Sequence, residues 1–243
     1  MRYVAAILLA LFFAAPGAKA QPLIADLSSH LIAITTGFAG TELLLFGATE
    51  GEGDVVVIVR GPDSETSVRR KARVAGIWIN RDEMRFSGAP SFYRVAASKP
   101  LAEFVPQALR QRHQIGTDAL RIQALDEASA DEIAPFRQGL VRNKEAQKLY
   151  DPELGRVAFL GPRLFRTRIV FPANVPTGAY SVEVLLVRGG QVIGAQTTPM
   201  FVSKVGIGAD IYDFAHDWAA IYGLIAIFLA AFAGWAAGAI FRK

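Results

Sequence analysis

The chain has 243 residues, of which 52% are hydrophobic and none is cysteine. That composition excludes a disordered protein, a disulfide scaffold, a Cys-ligated metal centre, thiol catalysis and a lipid-modified cysteine anchor. The net charge is +4, but Arg2, Lys19, Arg242 and Lys243 account for the whole excess, so the body is neutral and nucleic acid is a poor partner.

Residues 1–20 read as a secretory signal. Arg2 supplies the positive start, Val4–Ala15 the apolar run, Pro16 and Gly17 the break, and Ala18-Lys19-Ala20 the small residues of a cleavage site. At about 1.5 Å per residue the run reaches only about 18 Å, short of the roughly 30 Å hydrocarbon core.

Residues 21–99 form the first β part. His30–Thr36, Glu42–Phe46 and Asp54–Arg60 are short, rich in large or β-branched residues, and separated by Gly-containing turns. Val55–Val59 is a run of β-branched residues, which predicts a strand covered on both faces. Val68–Ile79 and Phe92–Ala97 continue the strand pattern less clearly. Residues 100–150 form a helical excursion. Leu101–His113 is interrupted by Pro106, giving either two helices or one kinked helix. Ser129-x-x-Glu132 has capping-box form, but Pro135 favours a later start equally, with Phe136, Leu140 and Val141 inward as far as Tyr150. Residues 151–205 form the second β part. Phe165, Thr167, Ile169 and Phe171 alternate with Arg166, Arg168 and Val170, as a half-buried strand does. Gly189-Gly190 joins two strands as a hairpin loop. Tyr180, two residues before Val182, is placed to close a corner by bonding backbone, as at the entry to a late strand of an immunoglobulin-like sandwich. The expectation is mainly β: an immunoglobulin-like β-sandwich around a helical excursion, plus one transmembrane helix. Two small β domains separated by helices are the alternative.

A juxtamembrane segment, 206–217, leads to a transmembrane helix at 218–241, which carries no charge, and a cytoplasmic end at 242–243. At about 1.5 Å per residue the helix is about 36 Å long, enough to span. Trp218, Tyr222, Trp235 and Phe241 sit towards its ends as interfacial aromatics do. Arg242 and Lys243 follow it and Asp210, Asp213 and Asp217 precede it, so the positive-inside rule places the C-terminus in the cytoplasm. The body then lies in the periplasm, held at the bacterial inner membrane. Ala219, Gly223, Ala226, Ala230, Gly234 and Gly238 share one helix face. Small residues allow close helix approach, so this face is a candidate packing stripe for a multi-pass membrane protein or a second copy.

The usual catalytic and nucleotide signatures are missing: Gly-x-Ser-x-Gly, His-Glu-x-x-His, Gly-x-x-x-x-Gly-Lys-Ser/Thr and Gly-x-Gly-x-x-Gly. No cofactor and no enzymatic activity are expected. His30, His113 and His216 sit in separate segments. Asp213, His216 and Asp217 share a helix face, but acidic groups there serve topology more simply than a cation. Arg69, Arg70, Lys71 and Arg73 form the densest charge run. Arg69, Lys71 and Arg73 share a strand face and, with Arg166 and Arg168, are candidates for an anion, anionic headgroups or an acidic partner. Trp78, Phe92 and Tyr93 are read as core aromatics, with a contact surface as the alternative.

The stretches Gly76-Ile-Trp-Ile-Asn80 and Pro90-Ser-Phe-Tyr93 before Lys99-Pro-Leu101, within this layout, resemble an alphaproteobacterial family of transmembrane proteins. The resemblance covers nearly the whole chain and carries no catalytic residue. It implies a gene context beside permeases of the sulfite-exporter type. Together these readings give a membrane-anchored periplasmic accessory protein, a partner of a multi-pass exporter of sulfur-containing anions. A membrane-tethered binding module for a small anion is the alternative.

Overall fold

The computed structural model describes residues 22–74 and 76–240, without the side chains of 207–210 and 213. The signal segment and the cytoplasmic end expected from the sequence lie outside the described residues.

In chain order the elements begin with strands β1 (Leu23–Leu27), β2 (Leu31–Ile34), β3 (Gly40–Thr49), β4 (Asp54–Arg60), β5 (Asp63–Val74), β6 (Ile77–Pro90) and β7 (Tyr93–Ala97). Helices α1 (Leu101–Phe104) and α2 (Gln107–His113), a 3-10 turn (Thr117–Ala119), β8 (Gln123–Ala124) and α3 (Ala130–Ala146) follow. Then come β9 (Gly155–Arg156), β10 (Ala158–Phe159), β11 (Leu164–Pro172), β12 (Gly178–Arg188) and β13 (Gln191–Lys204), and finally α4 (Ile207–Asp217) and α5 (Ala219–Ile240). The chain is mainly β, and α5 is long and apolar enough to cross a membrane.

Two sheets carry the body. One has the order β1-β3-β11-β10, the other β2-β13-β12-β4-β7-β9. Alternation explains their facing sides. Along β11, Phe165, Thr167, Ile169 and Phe171 are buried while the intervening residues are exposed. Phe171 meets Tyr180 of the second sheet with ring centroids 6.1 Å apart, and Phe92 stacks on Phe171 at 4.9 Å. At the sheet edges, Gln196 accepts from Ala25 N at 2.8 Å and donates to Ala25 O at 2.6 Å. The first and second β parts therefore share one core, and the two-domain alternative does not hold.

β4 is buried on both faces, as its β-branched run predicts. Val55, Val57 and Val59 pair with Leu186, Val184 and Val182 and face the first sheet. Val56 and Ile58 face the other way, where the α1–α2 segment closes the sheet with Val105 and Ile115. Pro106 separates α1 from α2 by standing immediately before α2, so the two-helix reading holds.

The last helix of the excursion, α3, starts earlier than Pro135. Ser129 caps it: Glu132 Oε2 accepts from Ser129 N and Oγ at 2.9 Å, completing the capping box. That cap outweighs the lost backbone donor of Pro135, which lies inside α3. The helix ends at Ala146 rather than Tyr150, because Lys148 takes a left-handed φ of 59°.

β5 and β6 form a third sheet with β8 and make the longest hairpin. The expected strand Val68–Ile79 is thus two strands joined by a turn. Val74 pairs with Ile77, and Gly76 supplies the φ of +86° that the turn needs. The base of this arm is covered. Val68 lies 3.5 Å from where a Gly139 Cβ would be, and the Arg70 guanidinium lies over Phe136. Its far end carries exposed Val74, Ile77, Trp78 and Ile79. Phe92 and Tyr93 are core aromatics, whereas Trp78 is on the surface.

Candidate functional site

The basic residues singled out in the sequence fall on two elements. Arg69, Lys71 and Arg73 alternate along one face of β5, while Arg166 and Arg168 lie on the outward face of β11 in another sheet. Several are already paired. Arg69 Nε donates to Glu83 Oε2 at 2.9 Å, and that bond holds the Glu83 carboxyl below its ordinary pKa. Arg168 lies 3.4 Å from Glu42, and Arg166 stands opposite Phe46. Arg70, on the other face, donates to Asp82. Lys71, Arg73 and Arg81 have no carboxylate partner among the described residues. The five candidates thus form two separate groups.

A second cluster was not visible in the sequence. On the outward face of the second sheet, Glu183 of β12 is met by two side chains from distant segments. His113 Nδ1 lies 2.9 Å from one carboxylate oxygen and Arg60 Nη1 3.5 Å from the other. Arg60 also donates to the His113 carbonyl. Beside them, Tyr93 donates to Gln114 O at 2.6 Å and accepts from Gly116 N at 2.7 Å. Burial pushes the Tyr93 hydroxyl up to about 12. The cluster pins the end of α2 onto the sheet. An adjacent polar cavity of about 410 Å³ is lined by Arg60, Asp63, Gln114, Arg121 and Ser181. No signal short of the fold could have found it: His113 and Glu183 are 70 residues apart and share no motif. Both Glu183 carboxylate oxygens are thus engaged, one by His113 and one by Arg60.

Further core hydroxyls serve structure. Tyr180 donates to Pro176 O at 2.6 Å, the backbone corner expected of it. Tyr150 donates to Pro90 O at 2.8 Å, and burial raises its pKa.

At the membrane end, no residue of α5 is buried against the body. Ala219, Gly223, Ala226, Ala230, Gly234 and Gly238 all lie on α5, and a Cβ added at Gly223, Gly234 or Gly238 would meet open space. His216 stacks on Tyr212 and its Nδ1 lies 2.9 Å from the Tyr212 carbonyl. Among the described residues, no group of three or more His, Asp or Glu side chains is gathered as a metal site.

A β body followed by one bare apolar helix defines a membrane-anchored protein. Residues 22–243 match the family described as "Putative transmembrane protein (Alph_Pro_TM)", and the chain belongs to that family. No curated protein matches it.

Proposed function

We propose that this chain is a non-enzymatic accessory protein of the bacterial inner membrane, with its body in the periplasm, docked on a multi-pass exporter of sulfur-containing anions. The observation that carries the reading is α5: apolar, uncovered by the body, and lined with small residues whose Cβ positions are open to a second helix. The signal-like residues 1–20 and the terminal Arg242-Lys243 support the orientation. The engagement of Glu183 by His113 and Arg60 supports a structural rather than catalytic role for that cluster. The exporter assignment rests on the gene context that the family resemblance implies.

An immunoglobulin-like sandwich belongs to this reading. The order β1-β3-β11-β10 facing β2-β13-β12-β4-β7 supports it, with β2 split off to pair in parallel with β13. The Tyr180 corner at the start of β12 supports it too.

The test is affinity purification of the tagged chain from membranes in mild detergent, with Gly234→Leu/Gly238→Leu as control. A multi-pass permease retained by the native chain and lost from the variant supports the proposal. Its retention by both the native chain and the variant removes the stripe from the account.

A second reading, a tethered binding module for a small anion, is favoured by Lys71, Arg73 and Arg166, which face solvent without carboxylate partners among the described residues. Calorimetry of the full chain with sulfite, sulfate and sulfonates tests it, and silence throughout removes it.

A further inference from the structure

The far end of the β5–β6 arm is built unlike the rest of the surface. Cross-strand register puts Val74 opposite Ile77 and Ala72 opposite Ile79, so one face of the tip is wholly apolar. The other face pairs Arg73 with Trp78 and Lys71 with Asn80. Ile77 is 67% exposed and Trp78 65% exposed. A bulge between Arg70 and Lys71 leaves Arg81 as the extra residue of β6 just behind this tip. Lys71, Arg73 and Arg81 have no carboxylate partner among the described residues, whereas Arg69, Arg70 and Arg85 further back are each bound to one. The tip therefore combines a bare aliphatic face, an indole and three cations without a carboxylate partner among the described residues, Arg73 Nε donating only to the Gly76 carbonyl at 3.3 Å.

We infer that this tip inserts into the anionic lipid surface of the chain's own membrane, giving the body a second attachment beside α5. Three observations favour lipid over another protein. The chemistry is that of an interfacial anchor: aliphatic groups in the acyl region, Trp at the headgroup level, and Lys and Arg extending their charges to phosphates. The charge is of one sign, complementary to an anionic surface. The arm also leaves the sandwich at the right end. β4 ends at Arg60, which pairs with Ser181, while nearby Gly178 pairs with Val202, close to where β13 departs for α4 and α5. Arm and tether thus start from the same edge of the sandwich. At about 3.3 Å per residue β5 reaches about 40 Å, whereas the segment from Val205 to Trp218, mostly helical at about 1.5 Å per residue, spans about 27 Å. The arm is long enough to reach the surface that the tether holds nearby.

The experiment uses the full chain in lipid nanodiscs, with Trp218→Phe and Trp235→Phe leaving Trp78 as the single indole. Discs are made from phosphatidylcholine alone or with an equal part of phosphatidylglycerol, each with and without brominated acyl chains. Trp78 emission is expected to shift to the blue and be quenched by bromine in the mixed discs. Three cations unpaired with carboxylates favour the anionic surface by on the order of 100-fold, so quenching should be much weaker in phosphatidylcholine alone. Lys71→Glu/Arg73→Glu should abolish that difference, and Ile77→Asp should abolish quenching without changing the melting temperature. Water-like, unquenched Trp78 in the mixed discs overturns the inference. So does protection of Trp78 that requires a co-purified protein, which would make the tip a protein contact. Purification of the native chain with no permease attached, with quenching intact, would remove the accessory reading and leave this one standing.

Discussion

Val55–Val59 in β4 and Ile77–Ile79 in β6 are both short apolar stretches of strand, and they meet opposite fates. The β4 residues are at most 1% exposed, whereas Ile77, Trp78 and Ile79 are 43–67% exposed. The difference comes from the neighbours and not from the stretches themselves. β4 has β12 and β7 beside it, the first sheet on one face and the α1–α2 segment on the other. Among the described residues, the tip of β6 has only β5 beside it, because β8 pairs at the base of the arm and α3 reaches along it as far as Arg70. An apolar segment that a protein leaves uncovered marks a surface meant for something else.

Substitutions should separate the two regions cleanly. Ile58→Ala should cost about 2–5 kcal/mol, because it opens a cavity between well-packed layers. Thermal unfolding of the detergent-solubilised chain measures it, and a loss below about 1 kcal/mol would mean that β4 is not the centre of the core.

Alkaline titration reports on the cover beside β4. Tyr93 is raised from 10.0 to about 12 by burial, so its contribution is fully present below pH 10 and is lost as pH rises towards 12. The shift corresponds to on the order of 2–3 kcal/mol. Tyr93→Phe should remove much of that alkaline loss. An unchanged pH profile would mean that the α2 end does not seal the sheet.

Ser129→Ala removes the cap of the helix that covers the base of the arm, and about 1 kcal/mol of stability should go with it. Hydrogen exchange at Val68 and Met84 should rise more than exchange in β4. The smallest effect belongs to the tip: Ile77→Ser should shift stability by less than about 0.5 kcal/mol in detergent. A loss comparable to that of Ile58→Ala would show that the tip is covered after all.

What was legible in the sequence follows the same division between local and distant causes. The alternation of Phe165–Phe171, the Gly189-Gly190 loop, the double burial of β4 and the Tyr180 corner depend on local pattern, and each is in the structure. The spanning helix was also legible, because length and apolarity alone define it. The turn at Gly76 was missed because one glycine within a β-rich run is a weak break. The start of α3 was undecided because a cap and a proline compete, and only the formed box shows which prevails. Trp78 fits a core as well as a surface until the fold shows that no layer reaches it. The Arg60–His113–Glu183 cluster was invisible because three separate segments must fold together to make it.

The account depends most on α5 crossing the membrane with the body outside the cytoplasm. Because the chain has no cysteine, single cysteines can be introduced at the exposed arm residue Glu65 and at Lys243 and challenged with a membrane-impermeant thiol reagent in spheroplasts. The account predicts a carbonate-resistant membrane protein labelled at position 65 in intact spheroplasts and at position 243 only after lysis. Labelling in the reverse order, or a chain released by carbonate, would contradict it.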